Sequence, residues 1–232
     1  MQKKILTVLF IVSLIILSGC KKEENTINVE GTSELSVDPD EAEVWAGYSI
    51  VKLNAEDAQN DANKVINSII KGLKEAGIPE EDMKTESLSL YEERRWEEGK
   101  SSVIGWRASQ TLKIKTKELS KVGSIVDIAV NNGANQINNI NFRLSEAKEQ
   151  EYKKKALADA AKNAKEKAET IAESLGVKLG DIRSVSESEF YSRPYAYAME
   201  KVAGADAVQE AATIMPGDVA VTGRISIVYI IG

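Results

Sequence analysis

The stretch from Glu146 to Leu175 does most to restrict what this chain can become. Tyr152, Ala156, Ala160, Ala164, Ala168, Ile171 and Leu175 recur there at spacings of three and four, which places them along one seam of a single helix. At 1.5 Å per residue that helix reaches roughly 45 Å. Its seam is mostly alanine, so a sheet or a second helix can approach its backbone closely. Lysines and glutamates flank the seam, and the pairs Glu149 with Lys153 and Lys165 with Glu169 are spaced to support the exposed turns. Gly176 is placed to end it.

The rest of the chain supplies the sheet. Ile27, Val29, Leu35 and Val37 alternate with polar neighbours, the period of a half-buried strand, and Asp38-Pro39-Asp40 turns it. A second strand runs from about Glu43 to Leu53 with Val44, Trp45, Tyr48 and Ile50. Asn54 then caps a helix, with Asp57 at its third position. In that helix Ala58, Ala62, Val65, Ile66, Ile69, Ile70 and Leu73 share a face, and Gly77 with Pro79 stops it.

Residues Met83 to Trp96 and Val103 to Lys115, joined by the polar turn Glu97 to Lys100, read as a hairpin. A helix from Lys117 to Val130 follows, ends at Asn131-Asn132-Gly133, and leads into a strand from Ile137 to Leu144. The order strand, helix, strand thus occurs in 43–96 and again in 103–144, which points to an internal duplication. A short strand near Ile182 to Glu189 precedes an aperiodic segment, Phe190 to Met215, expected as a long loop with at most one helical turn. The closing strand, Val219 to Ile231, is apolar on both faces near its end, as a central strand is. The expected class is α+β, an antiparallel β-sheet backed by helices, with two strand-helix-strand units, a long third helix and a closing strand.

The N-terminus carries a different signal. Lys3 and Lys4 precede an apolar or small run from Ile5 to Leu17, and Leu17-Ser18-Gly19-Cys20 follows. That is a lipoprotein signal peptide ending in a lipobox, and its apolar run is short for a bilayer span, which wants about 20 residues. Residues 1–19 are expected to be removed, Cys20 to be lipidated, 20–26 to serve as a tether, and 27–232 to form the folded domain. Two acyl chains on one thiol hold a protein on a membrane where a single chain does not. The expected place is extracytoplasmic, on the cytoplasmic or outer membrane.

Loss of residues 1–19 moves the net charge from -6 to -8, which disfavours nucleic acid as a partner. The chain has no histidine, and Cys20 is its one cysteine. Histidine-based triads, histidine-ligated metals, disulfides and thiol redox chemistry therefore fall away. No cofactor is called for, and an enzyme here would have to work with carboxylates, lysine or tyrosine.

With these elements placed, the chain resembles the SIMPL-domain family, whose bacterial members include periplasmic immunogenic proteins and a protein linked to oxidative-stress defence. The resemblance rests on Ile27-Asn-Val-Glu-Gly31-Thr-Ser-Glu-Leu-Ser-Val37-Asp-Pro39-Asp40, on Gly77-Ile78 with Thr85-Glu-Ser87-Leu-Ser-Leu-Tyr91, and on Gly105-Trp-Arg-Ala-Ser-Gln-Thr-Leu112. Its most specific piece is Gly133-Ala-Asn-Gln-Ile-Asn-Asn-Ile-Asn-Phe142, supported by Ser174-Leu175-Gly176-Val177 and Met215-Pro216-Gly217-Asp218-Val219. The resemblance implies helices behind an antiparallel sheet, a ring-like homo-oligomer in some relatives, a link to envelope or oxidative stress, and no established catalytic residue. The lipobox departs from the many relatives with an ordinary cleavable signal peptide.

Several groups stand out as candidate sites. Asp38, Asp40 and Glu41 carry calcium-type oxygens, but a Pro-containing turn of three acids lacks a full ligand pattern, and turn chemistry is the plainer reading. Glu80, Glu81, Asp82 and the run Glu92 to Arg95 read as solvated charge. Gly133-Ala-Asn-Gln-Ile-Asn leaves a helix and enters a strand, the reverse of a phosphate loop, so it reads as structural. Tyr191, Tyr195 and Tyr197 suit an interface, where tyrosine is enriched, and equally suit a loop packed on its own sheet.

The leading expectation is a non-enzymatic, lipid-anchored envelope protein that forms a homo-oligomer and acts by binding or scaffolding. One alternative is a carrier of a small ligand. A second is a carboxylate-dependent hydrolase, which needs two acids converging in one cleft.

Overall fold

The computed structural model describes residues 24–97, 99–187, 191–194 and 214–232. In chain order it has β1 (Thr26–Val37), β2 (Glu41–Lys52), α1 (Ala55–Glu75), β3 (Met83–Glu97), β4 (Lys100–Thr116), α2 (Val122–Asn131), β5 (Gln136–Arg143), α3 (Glu146–Leu175), β6 (Leu179–Glu187), β7 (Tyr191–Pro194) and β8 (Val219–Ile231). The α+β class holds, with two antiparallel sheets in place of the single one expected. They are ordered β3-β4-β2-β5 and β1-β8-β6, with β7 also on β8. Contacts divide the chain into two units, and α3, β1 and β8 each contribute residues to both.

One unit comprises Ser33–Asp159 and Glu189–Gly223. Its sheet is fully antiparallel, and β2-α1-β3 followed by β4-α2-β5 gives the strand order of a ferredoxin-like split β-α-β arrangement. Exchanging the two strand-helix-strand units leaves that order unchanged, as a duplicated unit would. Asn54 caps α1 as its side chain predicts, accepting from the Asp57 backbone N–H at 2.7 Å. Ile66, Ile69 and Leu73 of α1 and Ile125 and Ala129 of α2 pack on Ala42, Val44, Ala46, Leu112 and Ile114 of the sheet. All five sheet positions obey the period of two, so one face is closed by helices and the other is left polar.

Helix α2 begins later than the sequence suggests. A 3-10 turn, Leu119–Lys121, precedes it, and its N-terminus carries no side-chain cap, unlike that of α1. Leu88 of the edge strand β3 is 57% exposed. The hairpin is longer than its neighbours: β2 stops pairing with β4 at Lys52 opposite Trp106, while β3 and β4 stay paired out to Glu97 opposite Lys100.

The same unit holds a smaller core in which Val37, Leu144, Ala156, Val219 and Val221 are buried together. The segment expected as a long loop contains a strand, since Tyr191–Pro194 pairs with Thr222–Val219. Residues 195–213 lie outside the described residues.

The other unit takes in the described part of Met1–Thr32 with Ala160–Ser188 and Arg224–Gly232. Ala164, Ala168 and Ala172 of α3 pack on Ile27 and Val29 of β1 and on Ile227 and Tyr229 of β8, so the partner of the alanine seam is a sheet. Contact is close enough that glycine is required. A Cβ on Gly31 would lie 2.0 Å from the Ala160 carbonyl oxygen and 2.7 Å from Ala164 Cβ. The same device recurs in the first unit, where a Cβ on Gly223 would lie 2.7 Å from the Ala156 carbonyl carbon. Strand β8 is central, between β1 and β6, as its two apolar faces predict.

Candidate functional site

The polar face of the β3-β4-β2-β5 sheet carries a connected network of ion pairs. Period-two alternation puts Glu41, Glu43 and Trp45 of β2 on this face, opposite Ala42 and Val44 in the core. The register then sets Glu43 across from Lys115 of β4 and Asn141 of β5, and Glu41 across from Arg143. Lys115 Nζ lies 3.4 Å from Glu41 Oε1 and 3.4 Å from Glu43 Oε1. Arg143 reaches Glu43 at 3.4 Å and Glu41 at 3.6 Å. Lys113 sits 4.0 Å from Glu43, 3.5 Å from Glu86, and 5.9 Å from the centre of the Trp45 ring.

The Glu43 side chain is 5% exposed, so a nearly buried carboxylate is surrounded by three cations. Removing one partner of such a buried pair costs about 3–5 kcal/mol, because the remaining charge is left desolvated. Two acids do converge here, as a hydrolase would require. Yet a general acid or base must reach its substrate, and Glu43 is closed off while Glu41 is held between Lys115 and Arg143. The arrangement fixes the strands and presents charge; it offers no free carboxylate pair.

Beside this network Glu41 and Lys115 also border a cleft of about 280 Å³, with Ile78, Pro79, Asp82 and Glu118 on its other sides. It lies where β2 begins, β4 ends and the α1–β3 connection passes. Asp82, read from sequence as solvated charge, thus lines a concave site.

The other sequence candidates resolve into structural roles. Asp40 accepts from the backbone N–H of Ser145 at 2.6 Å and from its hydroxyl at 2.7 Å, tying the β1–β2 turn to the start of α3. Burial opposes ionisation of Asp40, but Ser145 and nearby Lys148 outweigh it, and its pKa falls below the ordinary value. The stability this contributes is present above the usual carboxylate range and is lost as pH drops through the lowered pKa. Both oxygens accept from Ser145, the turn chemistry that the sequence favours. Among the described residues no cluster of three or more potential metal ligands forms. Glu80 pairs with Lys74 at 2.5 Å, and Glu92 and Glu93 pair with Arg94 and Arg107 at 3.0 Å and 2.7 Å.

The Gly133–Asn138 segment is structural, as its position between helix and strand suggests. Gly133 has φ +101, the left-handed conformation that ends α2, and Ala134 is buried at 8% exposure. Asn135 then acts as an extra strand residue: its Oδ1 accepts from Ser49 N–H at 2.9 Å and its Nδ2 donates to Ser49 C=O at 2.8 Å. Asn135→Ala is expected to lower stability by about 1–2 kcal/mol, one modest net contribution for each lost bond. Thermal melting by circular dichroism checks it, and an unchanged midpoint would contradict the clamp.

Cys20, Tyr195 and Tyr197 lie outside the described residues, and Tyr191 is described only as backbone of β7. The residues that sequence reasoning missed are Glu43, Lys113, Lys115 and Arg143. Their alternation along each strand was visible, but the register that brings them together was not. No helix among the described residues is long and apolar enough to cross a membrane.

The SIMPL family, described as a protein of unknown function (DUF541), matches residues 27–229. The chain is similar to uncharacterized protein YggE of Edwardsiella ictaluri, with 30% identity over 156 residues, 67% of this chain and 64% of that protein. YggE of Escherichia coli K12 is 28% identical over 159 residues, 68% of this chain and 64% of the relative. The 26 kDa periplasmic immunogenic protein of Brucella melitensis is 30% identical over 176 residues, 72% of this chain and 67% of that protein. The match therefore spans a little under two thirds of the YggE relatives' own length. With one family matching residues 27–229, and relatives alike along about two thirds of the chain, this protein belongs to the SIMPL family.

Proposed function

We propose that this is a non-enzymatic cell-envelope protein, lipid-anchored through Cys20, that self-assembles and acts by binding or scaffolding. The lipobox supports the anchor, and a similar protein is called periplasmic in its own name. The link of some relatives to stress defence comes to this chain as part of the same proposal. The observation that carries the binding role is the far end of the β3–β4 hairpin, which runs past the last β2–β4 pair and keeps large apolar side chains exposed. Trp96 is 73% exposed, Leu88 57%, Tyr91 49% and Val103 47%. Exposed large apolar side chains along an edge hairpin mark it as an interaction element.

Assembly is expected to be a closed homo-oligomer larger than a dimer, with Tyr191, Tyr195 and Tyr197 at an interface. Light scattering on residues 21–232 tests it. The parent should have a mass above that of a dimer, and joint replacement of the three tyrosines by serine should lower that mass with the circular dichroism spectrum intact. A strictly monomeric parent across micromolar concentrations would remove self-assembly. A carrier of a small ligand is the second reading, and the cleft at Glu41 and Lys115 favours it.

A further inference from the structure

We propose that the cleft between the α1–β3 connection and the end of β4 is a binding site for a small zwitterion of amino-acid size. The charges lining it decide the ligand class. Three acids and two lysines border the cleft: Glu41, Asp82 and Glu118 with Lys115 and Lys117. Glu41 is neutralised by Lys115 and Arg143, and Glu118 by Lys121 at 2.8 Å. That leaves the Asp82 carboxylate and the Lys117 ammonium, neither of which makes a side-chain hydrogen bond or ion pair among the described residues. Their signs are opposite, so the site as a whole favours neither an anion nor a cation. It favours a molecule carrying both charges, with its ammonium on Asp82 and its carboxylate on Lys117.

Size and shape agree. Pockets for drug-sized ligands begin at roughly 300 Å³, and about 280 Å³ admits a metabolite of a few heavy atoms beyond its two charged groups. Ile78, 6% exposed, and Pro79 supply an apolar wall for the ligand's carbon skeleton.

Both walls are fixed in advance. Gly77 N–H donates to Lys74 C=O at 3.0 Å, Ile78 N–H to Leu73 C=O at 3.0 Å, and Asp82 N–H to Pro79 C=O at 3.1 Å. On the other side Thr116 Oγ1 accepts from Glu118 N–H at 3.1 Å and donates to Glu118 C=O at 3.4 Å. A site held this way loses little conformational freedom on binding. Its mouth is also electrostatically mixed, because the Glu41–Lys115 pair forms one rim. Bulk charge attraction is therefore weak there, and recognition falls to the two unpaired groups.

The site gives a ligand class to the binding role proposed above and rests on that reading. Calorimetric titration of the full chain with L-alanine, L-glutamate and glycylglycine tests it, with acetate and methylammonium as probes carrying one charge each. At least one zwitterion should bind saturably with one site per chain, and the single-charge probes should bind at least tenfold more weakly. Asp82→Asn and Lys117→Gln should each weaken the zwitterion tenfold or more. Neither side chain has a partner among the described residues, so the variants keep the fold, which circular dichroism verifies. No saturable heat from any zwitterion, unchanged affinity in both variants, or acetate matching the zwitterion would each overturn the proposal. A chain that assembles by light scattering yet gives no heat loses this site and keeps its scaffolding role.

Discussion

Gly31→Val is expected to cripple the unit built on the second half of α3. A strand position would normally welcome valine, since β-branched side chains suit a pleated surface. Here β1 runs against the helix backbone itself, and a Cβ at Gly31 would meet the Ala160 carbonyl oxygen at 2.0 Å and the Ala164 backbone nitrogen at 2.7 Å. Neither obstacle is the end of a flexible side chain, so the strand and helix must part. Overpacking of this kind typically costs 1–3 kcal/mol, and backbone obstruction lies at about the upper end or beyond. Against a total stability of about 5–15 kcal/mol, a loss of about 3 kcal/mol should lower the melting midpoint by roughly 6–12 °C for a chain of this size.

Gly176→Ala is the control. Gly176 has φ +68 and nothing within 4 Å of an added Cβ, so it pays only the left-handed conformation, about 1–2 kcal/mol. The expected order of melting midpoints by circular dichroism is parent, then Gly176→Ala, then Gly31→Val. A Gly31→Val midpoint at or above that of Gly176→Ala would mean that the alanine seam does not hold the strand as described.

The sequence was most readable where one local signal decided the outcome. Helix α3 was delimited by its alanine seam and by Gly176, and the observed bounds are Glu146–Leu175. Asn54 and Asp57 marked the start of α1 because a cap is a contact over three residues. Strand β8 was legible as central because a strand apolar on both faces needs cover on both.

What stayed hidden depends on register or on edges. Glu41 and Glu43 are two residues apart and plainly share a face, but nothing in the sequence says that Lys115 and Arg143 lie opposite them. The cleft combines residues near positions 41, 80 and 117 for the same reason. Tyr191–Pro194 lies in a stretch without clean periodicity, which reads as loop, yet it pairs with β8 as a four-residue strand, too short for a period to show. The closeness of Gly31 to the helix was invisible too, since glycine in a strand reads first as a weakness.

The claim on which the envelope role depends is the lipid on Cys20. That residue is the one thiol in the chain and follows Leu17-Ser18-Gly19, so the proposed acylation and processing would both depend on it. A diacylglycerol there supplies two buried chains at about 0.8 kcal/mol per methylene, enough to hold the protein on a membrane without any spanning helix. Growth with labelled palmitate, followed by membrane fractionation of the parent and of Cys20→Ser, measures this directly. The parent should carry label and sediment with membranes, whereas Cys20→Ser should carry none and accumulate as an uncleaved or mislocalised precursor. Equal labelling of the two proteins would contradict the lipid anchor, and with it the membrane attachment proposed for this chain.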